Sequence, residues 1–90
     1  MNPNITIALE LIQQLPEWNA LPLTFSGYTD DNTYRFATKS EFLEGLYREK
    51  VRHILDMIPG IDYDYWDESE WSDEDMELYP AYALTISKRT

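Results

Sequence analysis

Between Thr38 and Gly60 the chain carries a helix start signal, an apolar stripe and a stop signal in sequence, and everything else must pack around that element. Thr38-Lys39-Ser40-Glu41 matches a capping box, in which a hydroxyl and a carboxylate satisfy amides of the first turn. Phe42, Leu43, Leu46, Tyr47, Val51, Ile54, Leu55 and Ile58 then recur on one face, and Pro59-Gly60 ends the run. The spacing predicts a helix over 39–58, roughly 28 Å long. Its inward residues Leu43, Leu46, Val51, Ile54 and Leu55 are expected to meet Leu23, Phe25, Phe36, Leu84 and Ile86. On the wet side Glu44 with Arg48 and Glu49 with His53 have favourable four-residue spacing. Gly45 costs about 1 kcal/mol relative to Ala in a helix, which points to close packing there.

The remaining segments supply a second helix and several strands. Asn2 can cap a helix with Pro3 at its first position, followed by Ile5, Ala8, Leu9, Ile12 and Leu15, and Pro16 stops it. After a connector containing Trp18, Leu21, Leu23 and Phe25 alternate with polar residues, as do Tyr34 and Phe36. These read as paired strands joined by a loop over 27–32. Ile61, Tyr63 and Tyr65 alternate with Asp62 and Asp64 as an exposed strand, and Ser72 with the acids after it suggests a short helical turn. Tyr82, Leu84 and Ile86 mark a final strand. The expected fold is α+β: a three- or four-stranded, mainly antiparallel sheet with two helices packed on one face and an acidic segment at its rim. Residues 1–90 are expected to form one domain.

Composition removes whole classes of chemistry. With no cysteine there are no disulfides, thiol nucleophiles or Cys-ligated metals, and one histidine, His53, leaves little for imidazole chemistry. No apolar run approaches a membrane span, and Met1-Asn2-Pro3-Asn4 does not open like a signal peptide, so a cytoplasmic protein is expected. Gly27, Gly45 and Gly60 are too far apart for a phosphate-binding loop.

Seventeen acids against seven bases give a formal charge of -10, which argues against direct contact with nucleic acid or an anionic membrane and in favour of a basic protein partner. The charge is local. Residues 62–77 hold Asp62, Asp64, Asp67, Glu68, Glu70, Asp73, Glu74, Asp75 and Glu77 with no base among them. Asp62 to Asp67 begins like an EF-hand loop, but Asp67 stands where the sharp turn needs Gly and Asp73 where a bidentate Glu is needed, so no metal site is expected. Between His53 and Lys88 no base is available to hold a substrate's charge, so the expectation is a non-enzyme without cofactor.

Recognition fits the window better. Tyr63, Tyr65, Trp66, Trp71 and Tyr79 are interleaved with the acids, and carboxylates with aromatic faces bind Arg- and Lys-rich surfaces. The partner-binding candidates are Asp62, Asp64, Tyr65, Trp66, Asp67, Glu68, Glu70, Trp71, Asp73, Glu74, Asp75 and Glu77. A plainer reading makes the acids a solvated face and the aromatics part of a small core. Nine charges over sixteen residues come at roughly one per 3 to 6 Å, against one per about 3.4 Å of axis in a nucleic-acid strand. In size, charge and aromatic content the chain is similar to the small acidic DNA-mimic proteins by which phages block CRISPR and restriction enzymes, although it matches no family motif and carries over no residues. The functional expectation is a small inhibitor of anti-CRISPR or anti-restriction type that occupies the basic groove of a nucleic-acid-handling protein. The alternative is an immunity protein or antitoxin for a basic nuclease.

Overall fold

In the computed structural model, which describes residues 2–89, the chain is α+β. Helix α1 spans Pro3–Gln13, with the Asn2 carboxamide oxygen accepting from the amides of Asn4 and Ile5 at 2.8 and 3.3 Å. Pro16 ends the α1 pattern as expected and also opens a short helix, α2 (Pro16–Asn19), because proline is well suited to a first helical position. That turn drives Trp18 into the core, edge-on to Phe36 with ring centres 4.5 Å apart.

Strands β1 (Leu23–Asp30) and β2 (Thr33–Thr38) form a hairpin whose turn is only Asp31-Asn32. The loop expected over 27–32 is therefore mostly strand. Gly27 and Tyr28 continue the ladder opposite Arg35 and Tyr34, and the Asp30 carboxylate accepts from the Asn32 amide to close the turn. A register shift between Leu23 and Phe25 turns Phe25 to the outer face of the sheet, where it is 43% exposed instead of meeting the helix.

The long helical unit departs from the expected single α-helix in two ways. It comprises α3 (Phe42–Leu46), a π-helical turn (Tyr47–Val51) and α4 (Arg52–Met57). The apolar stripe explains the π turn. Leu46 and Val51, both buried, are five residues apart, and in an α-helix at about 100° per residue they would stand roughly 140° apart, at opposite margins of the stripe. An i→i+5 turn returns them to one side. At the start, Thr38 is the buried last residue of β2, not a helix cap. Its hydroxyl donates to the Pro22 carbonyl at 2.7 Å and accepts from the Ser40 amide at 3.1 Å, while the Ser40 hydroxyl accepts from the Phe42 amide. Glu41 makes no capping bond.

Side chains on this unit also differ from expectation. Phe42 is half exposed, and a Cβ placed on Gly45 would meet nothing within 4 Å, so Gly45 marks open space and not close packing. Glu44 pairs with Arg48 at 3.2 Å, but the π turn carries Glu49 and His53 out of register, and Lys50 instead reaches Glu17 of α2. That contact holds the Glu17 carboxyl below its ordinary pKa. Gly60 is a true constraint: its φ is +76°, and a Cβ there would lie 2.8 Å from Asn4 Nδ2.

Strands β3 (Ile61–Asp67) and β6 (Tyr82–Lys88) complete a four-stranded antiparallel sheet in the order β1-β2-β6-β3. β2 and β3 both run opposite to β6, so the helical unit is a crossover between two parallel strands with β6 inserted between them. The helices cover one face, where Ile5, Ile12, Leu43, Leu55, Ile61, Leu84 and Ile86 are sealed from solvent. Between β3 and β6 the chain forms a separate two-stranded hairpin, β4 (Glu70–Ser72) and β5 (Glu77–Tyr79), where a short helical turn was expected.

Candidate functional site

Alternation along β3 divides the sequence candidates between two faces. Ile61, Tyr63 and Tyr65 point to the helices, whereas Asp62, Asp64 and Trp66 point to the open face. Tyr65 is consequently half-buried: its ring stacks on Tyr47 with centres 4.3 Å apart and planes 7° from parallel. Its hydroxyl is sealed from solvent without a hydrogen-bond partner, and burial, with the Glu44 carboxylate nearby, pushes its pKa up to about 12. Tyr65 is thus set apart from the exposed candidates.

Two of the acids are already neutralised. Arg89 donates from Nε to the Asp62 carboxylate at 3.0 Å, and Arg35 reaches Glu68 at 3.3 Å. Asp67 accepts from the Ser69 amide at 3.0 Å, and its bonding to Ser69 holds the carboxyl below its usual range. A straight strand through Asp62, Asp64 and Asp67 also forms no calcium loop, and among the described residues no three acids or histidines gather as a metal site.

The other candidates converge on the β4–β5 hairpin, which carries Glu70, Asp73, Glu74, Asp75 and Glu77 and no base. At its root, the Glu68 amide donates to the Ala81 carbonyl at 2.7 Å and the Ala81 amide donates to the Ser69 hydroxyl at 3.0 Å. Beyond those two bonds the strands pair with each other in their own sheet, and every residue of the hairpin except Ser72 is exposed. Trp71 lies directly across from Leu78, 59% and 50% exposed, so one face of the hairpin is apolar. The other face presents the Glu70–Tyr79 and Ser72–Glu77 pairs.

Local bonds hold the tip. The Ser72 hydroxyl accepts from the Asp75 amide, the Trp71 indole donates to Asp73 at 3.1 Å, and the Tyr79 hydroxyl donates to Asp75, which raises the Tyr79 pKa. Met76 closes the turn at φ 50°, a left-handed conformation that costs a non-glycine residue about 1 kcal/mol or more. Met76 and Leu78 extend the surface beyond the sequence candidates. The signal for both was their alternation about Glu77 in Met76-Glu77-Leu78.

No protein-family model, curated protein or solved structure matches the chain. The site therefore stands on its own chemistry: carboxylates without cationic partners among the described residues, beside an exposed Trp–Leu pair, on an arm that leaves the sheet. Such an arm can accept charge-assisted hydrogen bonds from Arg and Lys while its aromatic faces cover their stems.

Proposed function

We propose that the protein is a small inhibitor that places its β4–β5 hairpin in the basic groove of a nucleic-acid-handling protein and excludes nucleic acid by occupancy, in the manner of anti-CRISPR and anti-restriction proteins. The observation that carries this reading is the hairpin itself, with five acids, no base and an outward Trp71–Leu78 pair. A solvated charged face has no need to expose a tryptophan opposite a leucine, and exposed Trp and Tyr beside charge are characteristic of binding hot spots. Occupancy requires no catalysis, metal or cofactor. No helix among the described residues is long and apolar enough to cross a membrane, and the proposed setting is the cytoplasm, where nucleic-acid-handling machinery acts.

The test is capture from host lysate with the wild-type chain, followed by binding of the captured protein in the presence of nucleic acid. Nucleic acid and this protein should displace each other, because both would neutralise the same lysines and arginines. Trp71→Ala should weaken the complex by roughly 2 kcal/mol, mainly through faster dissociation. A complex that holds nucleic acid and this protein together, unaffected by Trp71→Ala, contradicts the proposal.

A further inference from the structure

The two edges of the sheet are built differently. Edge strand β3 carries Asp62, Asp64 and Asp67, and charge on an edge discourages another strand from pairing with it. Edge strand β1 has no such guard. Residues 23–29 read Leu-Thr-Phe-Ser-Gly-Tyr-Thr, with neither a charge nor a proline, and Thr24, Phe25, Ser26, Tyr28 and Thr29 are exposed. The ladder to β2 is regular from Phe25 to Tyr28, with register shifts on either side. One side of this strand's backbone has no strand partner among the described residues.

We propose that β1 pairs antiparallel with β1 of a second copy of this chain, centred on Ser26, to give an eight-stranded sheet. Three observations favour a second copy over another occupant. First, the neutral run is symmetric about Ser26. A two-fold axis perpendicular to the sheet keeps each residue on its own face, so Phe25 lies across from Gly27 of the second copy. Each Phe25 ring already reaches over Gly27 of its own chain, 3.8 Å from where a Cβ would stand, so pairing brings the two rings together across the seam. Second, charge permits the contact. β1 and β3 are separated by three interstrand steps of about 4.8 Å, or about 14 Å, which exceeds the Debye length of about 8 Å at physiological ionic strength. Joining at β1 leaves the two charged β3 edges on the outside. It also carries Asp30 and Asp31 of each copy toward the end of the other where Leu23 pairs with Thr38, next to Lys39, which makes no ion pair among the described residues. Third, the helix layer leaves room, since Ser26 and Tyr28 on the helix side of β1 remain exposed.

This inference is independent of what the hairpin binds, and its salt dependence has the opposite sign. Raising salt screens repulsion between two chains of charge -10, so self-association should hold or tighten, whereas binding of the acidic arm to a basic groove should weaken.

The test is sedimentation equilibrium of the full chain together with oxidative cross-linking. With no native cysteine, a single introduced thiol reports only on its own counterpart. Ser26→Cys should give a disulfide dimer under mild oxidation, because residues directly opposite in an antiparallel pair have Cα atoms about 4.5 or 5.5 Å apart, within disulfide range. Asp64→Cys on β3 should not. Phe25→Lys, at a position outside the core, should raise the dimer dissociation constant at least tenfold with the circular dichroism spectrum unchanged. A monomer at millimolar concentration, or a dimer that cross-links equally well through Asp64→Cys, overturns the proposal.

Discussion

Single side chains decide more here than their types suggest, and glycine shows it most directly. Gly45→Ala places a methyl in open space on a helix, so it should raise stability by about 0.5 to 1 kcal/mol. Gly60→Ala meets a left-handed backbone and the Asn4 carboxamide, so it should cost about 1 kcal/mol or more. Urea denaturation of the two variants tests both signs, and the same sign for both contradicts this account of the backbone. Tyr65 offers a second check. Removing its unpartnered hydroxyl with Tyr65→Phe should stabilise by about 1 kcal/mol at neutral pH. The group's pKa is raised on folding, from an ordinary 10 to about 12, so the folded state holds the proton more tightly than the unfolded chain. Folding stability is therefore indifferent to this proton below pH 10 and falls as pH rises from 10 toward 12. Tyr65→Phe should flatten that part of the stability–pH curve. An unchanged alkaline slope would show that another group governs it.

The elements themselves were largely legible. Asn2-Pro3 and Pro59-Gly60 mark helix boundaries by backbone chemistry alone, and the alternation in 61–65 and 82–86 gives strands where strands are found. What misled was context. Asp31-Asn32 closes the β-hairpin, but Gly27 and Asp30 beside it carry the same turn signals and sit in strand. Thr38 matches a capping box whose hydroxyl is used by Pro22, a partner brought close only by β1. The five-residue gap from Leu46 to Val51 was present in the sequence, and its meaning emerges only when both are required in one core. That meaning is testable: excising Glu49 shortens the gap to four residues and should give a continuous α-helix with stability within about 1 kcal/mol of wild type. Excising Glu44 instead should rotate Leu43 out of the core and cost about 2 kcal/mol or more. Equal losses in thermal unfolding would contradict the π-turn explanation.

Across the whole molecule, the helix layer and the sheet form the body, and the acidic arm stands apart from it. The window at 62–77 was visible as charge, but its division was not, because the partners that neutralise Asp62 and Glu68, namely Arg89 and Arg35, lie 27 and 33 residues away. Since the arm contributes nothing to the helix-facing core, changing Glu70, Asp73, Glu74 and Glu77 together to Ala should shift stability by no more than about 0.5 kcal/mol, with any change tending upward as like charges are removed. That makes the quadruple variant a clean probe of function. The deciding measurement is competition on the captured partner: the association rate of wild type and of this variant is followed at increasing salt and increasing nucleic acid. An arm occupying a basic groove predicts that the wild-type rate falls steeply with salt, that nucleic acid competes it away, and that the variant is slow and nearly indifferent to salt. Equal rates for the two proteins, with nucleic acid bound at the same time, would contradict it.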